Sequence, residues 1–409
     1  MQSFLQLVAH DLYAKIGNDL SRTALIFPNK RANLFFNEYL AGESDQPIWS
    51  PAAMSISDLF QKLSVQKSGD PIRLVCELYK VFKEETQSQE TLDDFYFWGE
   101  LLISDFDDVD KNMVDADKLF SNLQDLKNLM DDYEFLDKEQ EEAIQQFFQN
   151  FSIERRTALK EKFISLWDKL GTIYHRYREN LTELGIAYEG MLYRNVIEQL
   201  DTDQLKYDKY IFVGFNVLNK VENEFFRKLK DAGKALFYWD YDIFYTQQIR
   251  KHEAGEFLKR NLGEFPNELP ESFFNTFKEP KKIRYISAST ENAQARFLPE
   301  WIKMITDNHS QIAEEKEKEN AVVLCNEALL LPVLHSIPQE VKNVNITMGF
   351  PLAQTPVYSF INAVMELQTN GYRSDTGRFT YEAVSAILKH PYTQQLSSHA
   401  GPLERELTQ

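Results

Sequence analysis

The sequence is poor in the residues that staple small folds or hold metals. Two cysteines, Cys76 and Cys325, occur in 409 residues. They lie far apart and match no metal-ligand spacing, so neither a disulfide framework nor a zinc or iron–sulfur site is indicated. The seven histidines are scattered and read as surface or satisfied core residues. No cofactor or metal is expected. No run of about 18 apolar residues appears, which leaves no candidate membrane span. The opening stretch MQSFLQLVAHDLYAKIGNDL carries acids and no long apolar centre, and so reads as an amphipathic helix and not a signal peptide. Basic charge is also short. Lys and Arg number 45 against 63 Asp and Glu, a net charge of −18. That balance argues against a uniformly basic nucleic-acid coat and makes any DNA contact local. A reducing cytoplasm fits this composition, and no internal repeat of fixed period appears.

What is present is enough for real cores: 43% of residues are hydrophobic and 13% aromatic, and the length suits two or three domains of about 150 residues. Thr23 to Pro28, TALIFP, is a short apolar run followed by a helical pattern that ends at Gly42. A second such unit is Lys209 to Leu229, in which YIFVGF leads through a polar turn into a helix with Val221, Phe225, Phe226 and Leu229 on one stripe. From about Pro71 to Gln204 the pattern is almost wholly helical. Leu119, Leu123, Leu126 and Met130 form one stripe there, and Phe163, Leu166, Leu170, Ile173, Tyr174 and Tyr177 another. Further strands are expected at KALFYWDYD, IRYISAS and AVVLC, VNITMGF is a further short run, and GEFPNELPESFFNTFKEPKK reads as a connector. Strands separated by helices imply an α/β protein with parallel sheets, the long helical block being an insertion.

Two acidic clusters invite a functional reading. The run DFDDVDK, Asp105 to Lys111, lacks the glycine that an EF-hand loop needs at its sixth position, where Asp110 stands. A solvated acidic helix face is expected. EKEKEN contains a Glu-x-Lys near Lys316, as nuclease motifs do, but lies in a charge run with no strand to hold it.

The turns after the strands carry more. Nowhere does Gly-x-x-x-x-Gly-Lys-Ser/Thr occur; the nearest fragment, Gly233-Lys234-Ala235, lacks the first glycine and the hydroxyl. After the first strand stands Pro28-Asn29-Lys30-Arg31-Ala32, and after YIFV stands Gly214-Phe215-Asn216. Further on come Trp239-Asp240-Tyr241-Asp242-Ile243 and AVVLCNEALLLPVL. In this order the blocks resemble superfamily 1 DNA helicases of the UvrD type, and more closely the inactivated helicase portion of AddB-type exonuclease subunits, relatives of RecC.

The resemblance implies two RecA-like parallel-sheet domains with a large all-helical insertion in the first. Residues 1–70 and 205–280 would form the first domain, 71–204 the insertion, and 281–409 the second domain leading into a helical accessory region. Asn29, Lys30 and Arg31 match a block that touches single-stranded DNA. Gly214 and Phe215 stand where active motors place magnesium-binding acids. Asp240 falls in the block whose glutamine position is Ile243, and Asn326 replaces an arginine directed at the γ-phosphate. Magnesium needs carboxylate oxygen and a transferring phosphate needs a cationic clamp, so motor chemistry is expected to be absent. The resemblance further implies an AddA-like helicase-nuclease partner, a role in double-strand-break processing, and a longer protein continuing into a PD-(D/E)xK nuclease domain. Two readings stay open: a silent segment that guides DNA, and a scaffold that only docks the partner and the nuclease domain.

Overall fold

In the computed structural model, which describes residues 2–120, 169–247, 253–305 and 320–408, four short runs pair into one parallel sheet. They are β1 (Thr23–Phe27), β2 (Ala52–Ser55), β3 (Lys209–Val213) and β4 (Ala235–Tyr238), in the order β2-β1-β3-β4. β1 and β3 are direct neighbours although the helical block separates them in sequence, Ala24 pairing with Tyr210 and Ile26 with Phe212. Period-two alternation divides their side chains between two cores. Ala24, Ile26, Tyr210 and Phe212 enter one cluster, and Leu25, Phe27, Ile211 and Val213 the other. Every residue of β1 is therefore buried, which is why the strand reads as continuously apolar.

Helices α1 (Phe4–Ile16) and α2 (Ala32–Ala41) cover the second face through Val8, Leu12, Phe36 and Leu40. The first face takes α3 (Ile56–Leu63), α8 (Lys220–Asp231) and the inserted helices. Those are α4 (Pro71–Thr86), α5 (Leu92–Lys111), α6 (residues 169–183) and α7 (Glu189–Gln199). A further helix, α9 (Glu253–Glu264), follows β4. Of the two expected stripes, Ile173, Tyr174 and Tyr177 are buried; Leu123, Leu126, Met130, Phe163 and Leu166 lie outside the described residues.

The insertion is not all-helical. Lys67–Ser68 pairs in parallel with Ile186–Ala187, so the chain leaving the sheet domain runs beside the chain returning to it. The half-buried backbone there needs hydrogen-bond partners, and it finds them in Lys67 N–H to Gly185 O at 3.0 Å and Gly69 N–H to Ala187 O at 2.9 Å.

The acidic run of α5 also departs from expectation. Asp105 and Asp108 are exposed, but Asp110 is wholly buried. Its carboxylate accepts hydrogen bonds from the hydroxyls of Tyr174 and Tyr188 and from Arg178, with Arg194 at 3.3 Å. Arg178 donates on to Asn195 at 2.9 Å, and Asn195 to Gln66 at 2.7 Å. One buried carboxylate thus ties α5, α6 and α7 to the segment after α3. Gly190 permits the approach, because a Cβ there would meet the Asp107 carbonyl at 2.4 Å.

Two other expectations need correction. The stretch GEFPNELPESFFNTFKEPKK is more than a connector: Phe265, Leu269 and Phe274 are buried in the cores, and Glu268 N–H bonds to Phe237 O at 2.9 Å. The chain divides into two compact units, 1–280 and 281–409, and in the second none of IRYISAS, AVVLC and VNITMGF forms a strand. Most of their apolar side chains face solvent, Tyr285 being 93% and Val323 84% exposed, while Leu324 packs against the small core of this unit. Strand propensity acts through cross-strand neighbours and burial, and among the described residues no neighbour pairs with these runs. Among the described residues of this unit the one ladder is antiparallel, Tyr372–Arg373 with Arg378–Phe379. Its small core joins Ala295, Leu298 and Val333. Among the described residues no helix is long and apolar enough to cross a membrane.

Two outcomes test the Asp110 network. Asp110→Ala leaves two buried hydroxyls and Arg178 without their acceptor, and should lower unfolding free energy by about 3–5 kcal/mol in urea titrations. Tyr174 is pushed up to about 12 by burial and then by the Asp110 charge. Because its folded pKa lies above the unfolded value of about 10, the folded chain keeps this proton longer. Its contribution is complete below about pH 10 and is lost as pH rises through about 12. Tyr174→Phe, which cannot ionise, should show a shallower fall in stability across that window.

Candidate functional site

From β1 the chain moves to β2 on one side and later returns as β3 on the other. The order reverses between β1 and β3, and open parallel sheets place their ligand crevice outside the C-terminal strand ends at such a point. Here those ends are Pro28–Arg31 and Gly214–Asn219. The fold therefore brings Asn29, Lys30 and Arg31 to the strand end adjoining that of Gly214 and Phe215.

Each residue after β1 has a definite environment. Asn29 turns its side chain inward along the chain, and its Oδ1 accepts from Arg31 N–H at 3.1 Å and Ala32 N–H at 3.3 Å. The amide thereby caps α2, using donors that a phosphate would need. Lys30 is 75% exposed and pairs with Asp58 at 2.9 Å. That hydrogen bond holds the Asp58 carboxyl below the ordinary range, against a smaller desolvation effect. Arg31 is half-buried, with no ion-pair partner among the described residues.

Opposite, Gly214 has φ +74°, and a Cβ there would meet only Phe4 at 3.7 Å. Backbone conformation selects this glycine, then, and not lack of space. The left-handed turn directs Phe215 into the core, where it is 5% exposed and packs on Phe226 at 5.4 Å and Phe212 at 6.2 Å. Phe237, Trp239 and Phe265 continue this aromatic cluster. The Asn216 carbonyl accepts from the Asn261 amide at 2.6 Å, which pins the turn from behind.

The helix ends around the crevice are closed as well. At α8, Asn219 Oδ1 accepts from Glu222 N–H at 2.8 Å and Glu222 accepts from Asn219 N–H at 3.1 Å. Ser55 and Asp58 do the same at α3. Glu189 opens α7 and binds Lys111 at 2.6 Å, Tyr193 at 3.0 Å and Ser57 at 3.2 Å. Burial alone would raise the Glu189 pKa, but Lys111 and the two hydroxyls outweigh it and the pKa falls. Three carboxylates thus stand at three helix N-termini, where positive dipole ends favour them and where an anionic ligand would otherwise sit. Sequence reasoning missed this shell. Its signal was readable, since Ser55-x-x-Asp58 and Asn219-x-x-Glu222 are capping-box spacings.

The remaining predicted positions are structural here. Asp240 lies past β4; part of its surface meets solvent, yet protein packed round the carboxyl raises its pKa by desolvation. Ile243 packs against the α1 and α2 core, and its N–H bonds to Phe274 O at 2.8 Å. In the second unit, Asn326 caps a short helical turn through Ala328 N–H at 3.1 Å and donates to Glu291 at 3.1 Å. Among the described residues no three His, Cys, Asp or Glu side chains converge as a metal-binding set.

Restoring an acid at the turn should therefore damage the core rather than create a site. Phe215→Glu is expected to lower unfolding free energy by about 3–5 kcal/mol from lost packing alone, with a further loss where the carboxylate is ionised. Asn219→Ala should cost about 1 kcal/mol through the lost cap. Urea unfolding of the two variants checks both magnitudes. No protein-family model matches the chain, and no curated protein matches its sequence.

Proposed function

We propose that the chain is a helicase-like region without motor chemistry, of the kind found in AddB-type subunits of helicase-nucleases that process DNA double-strand breaks. On this reading residues 281–409 correspond to a second RecA-like domain, and the region docks an AddA-like partner and carries a nuclease domain. The observation that carries the reading is the closed switch point: Gly214 and Phe215 offer no metal ligand, α3 and α8 are capped by their own side chains, and Asn29 occupies the Arg31 and Ala32 N–H groups at the start of α2. A phosphate entering there meets carboxylates in place of free N–H donors.

Scaffolding fits this geometry better than DNA guidance does, because Asn29 is committed to α2 and Lys30 to Asp58. One observation keeps guidance as a second reading. Arg31 has no ion-pair partner among the described residues, and the exposed Lys30 pair is weak enough to exchange Asp58 for a phosphate.

Calorimetry with ATP and magnesium tests the first half; no heat of binding is expected, and a micromolar magnesium-dependent isotherm would overturn it. Single-stranded DNA affinity across a salt series separates the two readings. Guidance requires that Lys30→Ala/Arg31→Ala weaken binding and reduce the salt slope by about 0.7 for each phosphate that the variant no longer neutralises. Equal affinities and slopes leave the scaffold.

A further inference from the structure

Helix α5 is apolar on two faces. One face, with Phe95, Phe106 and Val109, is buried in the insertion core. The other meets solvent and should be polar on a helix of this kind. Instead Phe97 is 64%, Trp98 59% and Leu101 43% exposed. The two rings lie edge to face with centroids 5.9 Å apart. Asp94 stands one turn before them, and Asp105 and Asp108 follow, so positions 94, 97, 98, 101, 105 and 108 recur at steps of three and four and share one stripe. The stripe is about 21 Å long at 1.5 Å per residue.

Its ends are negative. Asp94 caps the helix through Thr91 N–H at 3.3 Å, and hydrogen bonds from the Thr91 side chain and backbone lower its pKa. Asp107 pairs with Lys111 at 2.7 Å, but neither Asp105 nor Asp108 has a cationic partner among the described residues. Desolvation and the neighbouring Asp108 charge raise the Asp105 pKa, as fits a carboxylate pair without a counter-ion. A second copy of this chain is a poor occupant, because its stripe would set aspartates against aspartates. Nucleic acid is poor for the same reason.

We propose that this stripe of α5 is a docking surface for a helix of a partner protein, one that carries an apolar stripe with lysine or arginine at both ends. Trp98 and Phe97 are the anchors, in keeping with the weight of aromatic residues at interface centres, and the aspartates set register and on-rate. The surface rests on the insertion's own geometry and is independent of the helicase-like reading.

The test uses the full chain and two synthetic helical peptides about five turns long. Both carry the same leucine stripe, one with Lys/Arg ends and one with Glu ends, and binding is read by fluorescence anisotropy of the labelled peptide. The cationic peptide should bind at least about tenfold more tightly than the acidic one. Phe97→Ser/Trp98→Ser, with an unchanged circular dichroism spectrum, should weaken it at least about tenfold, and Asp105→Asn/Asp108→Asn should flatten its salt dependence. Should the first variant fail to fold, the second carries the test alone. The proposal is overturned if neither peptide binds or the acidic one binds equally. It is equally overturned by unchanged binding in the folded aromatic variant, by unchanged salt dependence in the aspartate variant, or by wild-type dimers that the aromatic variant abolishes.

Discussion

Parallel pairing of β1 with β3 constrains everything between them. Two parallel strands cannot be joined by a hairpin, so the chain must leave one end of the sheet and re-enter at the other. Residues 28–208 make that journey, and they include an edge strand, two sheet-covering helices and the insertion. Such an excursion is stable only if its neck is closed and its far parts are buried. The ladder between Lys67–Ser68 and Ile186–Ala187 closes the neck. Residues of α4 to α7 then join Ala24, Ile26 and Phe212 in one continuous core. The described part of the insertion is accordingly an extension of the sheet domain.

The same topology decides what the crevice can do. Placing β1 beside β3 creates a switch point whether or not any ligand uses it, so chemistry there depends on a few turn residues. A left-handed glycine at 214 sends Phe215 inward, and each neighbouring helix spends its free N–H groups on its own asparagine, serine or acid. The result is electrostatically matched except at Arg31, which has no ion-pair partner among the described residues. Lys30 and Lys111, the cations best placed to attract an anion, each already face a carboxylate. An anion could enter here only if several of these groups were displaced together.

Local signals were legible and long-range ones were not. TALIF and YIFV read correctly as buried strands because both faces of a parallel sheet are covered, which leaves an apolar run with no polar alternation. Capping boxes at Ser55 and Asn219 are equally local, as each is complete within four residues. Asp110 could not be read in this way. Alone in DFDDVDK it is one acid among four, and only the arrival of Tyr174, Arg178, Tyr188 and Arg194 from two later helices makes a buried carboxylate tolerable. IRYISAS failed in the opposite direction. Its residue types favour a strand, but a strand is a relation between segments, and none among the described residues pairs with it. Phe265, Leu269 and Phe274 were hidden by the prolines and glycines around them, which mark turns without saying how deeply the turns pack.

A net charge of −18 suggests one acidic field, but the fields here are local. Asp58, Asp70, Asp94, Asp242 and Glu222 each accept a backbone N–H at a helix start, where the helix end offsets roughly half a charge. Asp110 and Glu189 are matched by arginine or lysine at contact distance. What remains to act on a partner is the unmatched charge within about one Debye length, some 8–10 Å in ordinary salt. By that measure two surfaces with the same parent composition differ. Around Lys30 and Arg31 the signs are mixed and attraction to a phosphate is partly cancelled. Along the outer stripe of α5 the sign is uniform at Asp105 and Asp108, and Phe97, Trp98 and Leu101 between the acids are exposed. Selectivity for a cationic, apolar partner therefore arises at that stripe from position, and not from the acidity of the chain as a whole.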